Sequence, residues 1–193
     1  MMKARVIRFG IATFGAIMLA GCATIADLTN NGPIESDPGK RSLGAMIDDQ
    51  AIETVVTVNI GKAHPDLKAS NVDVTSFNGV VLLTGQVPSN DMRLLAGKTA
   101  AEVKNVRQVY NELNIQGGAS VLSRSSDLWM TSKVKSVLLA NKDIDSGRIK
   151  VVTEAGVVYL MGLLTRNEAD RAAEATRGVG GVQKVVKAVE YID

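Results

Sequence analysis

One nine-residue stretch occurs twice, and that duplication limits the folds open to the chain. GVVLLTGQV (79–87) lies over GVVYLMGLL (156–164), with Gly79 on Gly156, Val80 and Val81 on Val157 and Val158, and Gly85 on Gly162. The register continues on both sides: VDVTSF (72–77) faces IKVVTE (149–154), and 103–115 faces 179–191. A repeat at this spacing means two copies of one folding unit. The units are 48–116 and 127–193, joined at 117–126 by GGASVLSRSS, a Gly/Ser-rich linker.

Each unit shows the same order of local signals. An amphipathic helix opens it, marked by Ile52, Val56 and Ile60 in the first unit and by Met130, Val134, Val137 and Leu138 in the second. Two strands follow, joined by Asn78-Gly79, a dipeptide suited to the positive φ angles of a tight hairpin, or by its weaker counterpart Ala155-Gly156. A second helix comes next, and Thr165-Arg166-Asn167-Glu168 has the spacing of a capping box at its start. A last strand runs through Val106, Val109 and Leu113, or Val182, Val185 and Val189. The expected class is α+β: two tandem α-β-β-α-β units, each with its helices on one face of a small mixed three-stranded sheet. With three Phe, one Trp and three Tyr in 193 residues, the cores must be aliphatic, so an aromatic residue outside them stands out.

The first 21 residues are a different material. Lys3, Arg5 and Arg8 precede the apolar run FGIATFGAIML (9–19), which is too short for a stable membrane-spanning helix and has the order of a secretory signal. Leu19-Ala20-Gly21-Cys22 resembles the lipobox of bacterial lipoproteins. The resemblance implies cleavage before Cys22 and acylation of that residue; Ala23, rather than Asp, in the next position points to the outer membrane. Cys22 is then a tether with no thiol left for other chemistry. Residues 22–47 carry Asn, Gly, Pro, Ser and mixed charges, and are expected to be a flexible spacer with little regular structure as far as Arg41. The formal net charge of +2 falls to −1 once the three basic residues of the signal are set aside. Nucleic-acid binding loses its main electrostatic support.

The unit order, the paired glycines around an apolar strand and the duplication resemble the BON-domain family. Within it, DPGKRSLGAMIDDQAIE (37–53), VYNEL (109–113), DLWMTSKVKS (127–136) and MGLLTRNEA (161–169) are similar to the dual-BON outer-membrane lipoproteins. The resemblance spans nearly the whole mature chain. It implies a periplasm-facing, phospholipid-binding protein that supports outer-membrane integrity and has no catalytic activity.

The repeat supplies an internal control for where lipid would bind. Unit one carries 6 basic and 8 acidic residues, unit two 10 and 9, so the second is the better partner for an anionic surface. On its first helix Leu128 and Leu139 fall nearly opposite the core face, Trp129 lies on the flank, and Lys133 and Lys135 sit between the two faces. The aligned positions of unit one are Gln50, Ala51, Val55, Thr57 and Gly61, so apolar bulk and positive charge are expected on the outside of one helix only. Tryptophan suits a bilayer interface, and lysines near anionic lipid contribute about 1 kcal/mol each. Two alternatives stay open: this face packs against the other unit, or it docks an envelope protein and the anchor only sets location.

Other candidate sites are poorer. His64, the single histidine, precedes Pro65 in a loop without a second ligand and reads as a surface residue, so no metal site is expected. Asp48 and Asp49 read as helix N-terminal charges rather than a catalytic pair. Met130 and Met161 fit core positions, and no glycine run has the setting of a phosphate-binding loop. No catalytic residue, cofactor or small-molecule substrate is expected.

Overall fold

The computed structural model describes residues 39–115 and 121–193, with side chains in the second segment from Ser126 onward. Residues 1–38, which include the stretch expected to be a signal, Cys22 and most of the expected spacer, lie outside the described residues. The first repeat comprises α1 (Leu43–Ala63), the short α2 (Pro65–Ala69), β1 (Asn71–Phe77), β2 (Val80–Val87), α3 (Asn90–Ala101), β3 (Gln108–Asn111) and β4 (Asn114–Ile115). The second comprises α4 (Val121–Ala140), β5 (Ile149–Glu154), β6 (Val157–Leu164), α5 (Arg166–Arg177), β7 (Lys184–Lys187) and β8 (Glu190–Tyr191).

The capping box forms as read: the Thr165 hydroxyl accepts from Glu168 N at 3.2 Å, and the Glu168 carboxylate accepts from Thr165 N at 2.8 Å. Both first helices start earlier than their periodicity indicated. α1 begins at Leu43 because the Ser42 hydroxyl accepts from Ala45 N at 3.1 Å and caps it there. α4 begins at Val121, inside the segment read as linker, because no Gly or Pro after Gly118 stops the helix from extending backwards. His64 caps α2 with its ring: Nδ1 accepts from Asp66 N at 3.1 Å.

Each sheet is mixed. β2 is the central strand, antiparallel to β1 (Val74 opposite Leu83) and parallel to β3 (Val81 opposite Val109), and β4 continues the parallel edge. The second sheet repeats this with β6 at its centre, Val151 opposite Leu160 and Val158 opposite Val185. The last strand of each repeat is thus split in two, interrupted at Glu112-Leu113 and at Ala188-Val189.

All eight residues of β2 are buried, so both faces of the strand are covered. Val81, Leu83 and Val87 pack under Ile52, Val56 and Ile60 of α1 and Ala96 and Ala100 of α3. Val80 and Leu82, pointing the other way, join Phe77, Tyr159, Met161 and Leu163 in a cluster that contains residues of both repeats. Met130, Val134, Leu138, Val158 and Leu160 form the corresponding helix-side core of the second repeat. The two sheets therefore stack face to face, giving four layers in the order helix, sheet, sheet, helix. Burial pushes the Tyr159 hydroxyl up to about 12, with the Glu112 and Glu154 charges adding to it, so the ring enters this layer neutral. Polar contacts cross between repeats around the apolar layer: Lys150 Nζ to Glu53 Oε1 at 3.1 Å, Gln86 Nε2 to Glu154 Oε1 at 2.9 Å, and Arg107 Nη1 to Glu190 Oε1 at 2.8 Å.

Two expectations need correction. Val137 is 39% exposed rather than a core residue, because Met130, Val134 and Leu138 already fill the buried side of α4. Asp49 is not a terminal helix charge. It sits in the second turn of α1, is 4% exposed, and accepts from Ser76 Oγ (2.7 Å), Asn78 N (2.7 Å), Gly79 N (2.9 Å) and Arg41 Nη1 (2.7 Å). Asp127 repeats the device, accepting from Ala155 N at 2.8 Å and Gly156 N at 3.1 Å. One buried carboxylate per repeat ties the opening helix to the hairpin turn about 30 residues away.

The hairpins turn through positive φ as their sequences require: Asn78 has φ 53 and Ala155 φ 48. Alanine holds this left-handed conformation at a cost that glycine does not incur. Ala155→Gly is expected to raise stability by about 1 kcal/mol, seen as a Tm gain of roughly 2–4 °C by differential scanning fluorimetry. An unchanged or lower Tm would contradict this account of the turn.

Candidate functional site

The outer surface of α4 follows from how the helix is seated. Met130, Val134 and Leu138, at steps of four, are buried against the second sheet, which turns the opposite side to solvent. Leu128 is 72% exposed, Trp129 62% and Leu139 76%. The first repeat leaves them exposed, because the apolar contact between the repeats runs through their sheet faces.

Lys133 is half-buried, with its Nζ 3.4 Å from the centroid of the Trp129 ring, a cation–π contact between side chains four residues apart. Lys135 is exposed. Ser132 and Ser136, on the same stretch, donate their hydroxyls to the carbonyls of Leu128 (3.1 Å) and Ser132 (2.9 Å). Their polar groups are satisfied within the helix, so a surface that loses water here strands no hydroxyl donor. The patch combines apolar bulk, an interfacial aromatic ring and two cations. Beside Leu128 a cleft of about 350 Å³ is lined in part by Asp73, Asp127 and Glu154, so the positive end of the surface lies towards Lys133 and Lys135.

Leu128, Trp129, Lys135 and Leu139 are exposed along α4 and Lys133 lies half-buried against the Trp129 ring, while Cys22 lies outside the described residues. The expectation that only one helix carries outward apolar bulk is overturned. α1 exposes Leu43 (79%), Met46, Ile47 (71%), Val55 and Val58. Leu43 to Ile47 fall in the stretch expected to be spacer, before the periodic run that begins at Ile52. The signal that could have found them is Ser42 as a cap followed by apolar residues at positions 43, 46 and 47. α1 also carries an outer cation, the exposed Lys62 in its last turn, where α4 has Lys133 and Lys135.

No helix among the described residues is long and apolar enough to cross a membrane. The BON domain family matches residues 48–117 and 126–193. The chain is 34% identical over 188 residues, 96% of each chain, to the outer membrane lipoprotein DolP of Haemophilus influenzae. It is 38% identical over 152 residues to a 21 kDa hemolysin of Actinobacillus pleuropneumoniae, covering 79% of this chain and 78% of that one. It is 32% identical over 152 residues to the osmotically-inducible protein Y of Escherichia coli, covering 77% and 75%. With both repeats matched and one relative alike along almost its full length, the chain belongs to the BON-domain family and carries two BON domains.

Proposed function

We propose that this is a non-catalytic outer-membrane lipoprotein, held by acyl chains on Cys22, that binds anionic phospholipid through α4 and supports outer-membrane integrity. The observation that carries the reading is the exposed Trp129 with Lys133 against its ring, on a helix that also exposes Leu128 and Leu139 and seats itself through the buried Met130, Val134 and Leu138. The similarity to an outer membrane lipoprotein supports the location. The energetics suit a tethered domain. Burying Trp129 and the two leucines yields roughly 25 cal/mol per Å² of apolar area, and the two lysines add about 1 kcal/mol each near anionic headgroups. These terms are modest for a free protein, but an anchor at Cys22 supplies a high effective concentration of membrane. The anchor sets the compartment and the helix responds to lipid charge.

The test is flotation of a soluble fragment starting at Ser36 with anionic and with zwitterionic vesicles. The fragment is expected to float with anionic vesicles, less so at high salt, and Trp129→Glu is expected to cut binding at least tenfold without lowering Tm. Failure of the unmutated fragment to float would reduce the membrane role to the anchor and turn attention to a protein partner.

A further inference from the structure

The arc of α1 opposite its core is uncharged from Leu43 to Val58, with Lys62 at its edge in the last turn. At about 100° per residue, Leu43, Ile47, Ala51, Thr54, Val58 and Gly61 lie opposite the buried Ile52, Val56 and Ile60. Thr54 and Thr57 donate their hydroxyls to the carbonyls of Gln50 (2.9 Å) and Glu53 (2.7 Å), so their polar groups are used inside the helix and drying this side leaves neither donor unmade. A solvated helix face ordinarily carries Lys, Glu or Arg. The four charged residues of α1 lie elsewhere: Asp49 is buried under the hairpin, Glu53 binds Lys150, and Asp48 and Lys62 share one flank.

A contiguous exposed apolar face of this kind marks a contact surface. Membrane-surface helices are rich in Lys and Arg with aromatic anchors, and this face has neither, whereas depletion of charge is the signature of a protein interface core. The flank identifies the partner. Asp48 and Lys62 are fourteen residues apart, about 21 Å along the axis. A twofold antiparallel pairing of two α1 helices centred near Val55 brings Asp48 of each copy to Lys62 of the other, giving two opposite-charge pairs from one sequence. Among the described residues neither makes an ion pair within its own chain. Ala51 and Gly61 leave room for helices to approach at the short end of the usual 8–10 Å.

We infer that the protein forms a twofold dimer through antiparallel packing of α1 against α1 of a second copy. The dimer buries the face that the monomer leaves open. It keeps both Trp129 helices outside the interface, because α1 and α4 belong to opposite outer layers of the sandwich.

The test uses the mature-length chain with Cys22→Ser, examined by sedimentation equilibrium from low micromolar to several hundred micromolar. A concentration-dependent monomer–dimer equilibrium is expected. Ile47→Glu, a change at a solvent-exposed position, should give monomer throughout with Tm unchanged. Asp48→Lys and Lys62→Asp should each weaken association about tenfold, and the two together should restore it. A monomer at every concentration, a dimer indifferent to Ile47→Glu, or a double variant no better than the single ones would each overturn the inference. So would a monomer in which Ile47→Glu instead weakens vesicle flotation, because the face would then belong to the bilayer. Lipid binding by α4 stands or falls separately, on Trp129→Glu.

Discussion

Asp49→Ala is expected to lower the unfolding free energy by about 3 kcal/mol, which in a unit of this size is a Tm loss of roughly 6–12 °C. The carboxylate is nearly inaccessible and serves four donors, two of them backbone N–H groups of the hairpin turn. Alanine leaves those N–H groups without their acceptor, and leaves Arg41 without the charge it meets at 2.7 Å. Asp127→Ala should reproduce the effect in the second repeat through Ala155 and Gly156. The same contacts set a pH dependence. Burial alone would raise the Asp49 carboxyl, but the donors from Gly79, Ser76, Asn78 and Arg41 outweigh it and hold the group below its ordinary value of 3.8. A depressed carboxyl stabilises the fold above its unfolded pKa, and that stabilisation is lost as pH falls through the folded pKa. The wild-type Tm should therefore fall below about pH 4, and the gap between wild type and Asp49→Asn should narrow there. A gap that stays constant down to pH 3 would refute the role of the charge.

Gly85→Ala is expected to cost about 3–5 kcal/mol, enough to unfold a marginal domain. Gly85 has φ +106, and a Cβ placed on it would stand 2.0 Å from the carbonyl oxygen of Asn71 on the paired strand. β2 has no room to shift, because it is covered on both faces. The aligned Gly162 differs in an instructive way. Its backbone is outside the left-handed region, and a Cβ there would meet Arg148 O at 2.6 Å. Gly162→Ala suffers crowding without the dihedral penalty and should cost less. Urea unfolding of the two variants checks the ranking, and a larger loss at Gly162 would refute it.

Much of this architecture was legible because it is written in short-range terms. The Asn78-Gly79 turn, the Thr165 capping box and the spacing of Ile52, Val56 and Ile60 are each fixed by local dihedral and side-chain preferences. The misread residues depend on partners distant in sequence. Asp49 looks like a helix-start charge until the hairpin about 30 residues away is folded onto it. Val137 has the spacing of a core residue but lies just beyond the arc that Val134 and Leu138 already fill. On the candidate site, Leu128, Trp129 and Leu139 were visible as residues outside the core arc, yet whether anything covered them was not.

The sequence by itself determined that there are two BON units, what elements each contains and which helix side is buried, because periodicity and turn chemistry act over a few residues. Only the tertiary structure decided how the units meet. A strand such as 80–87 is apolar on both faces, so its sequence says that both must be covered and not by what. Stacking sheet on sheet uses Leu82, Tyr159 and Met161 for that contact and sends α1 and α4 to opposite outer layers. The faces of Trp129 and Ile47 are left in solvent for that reason.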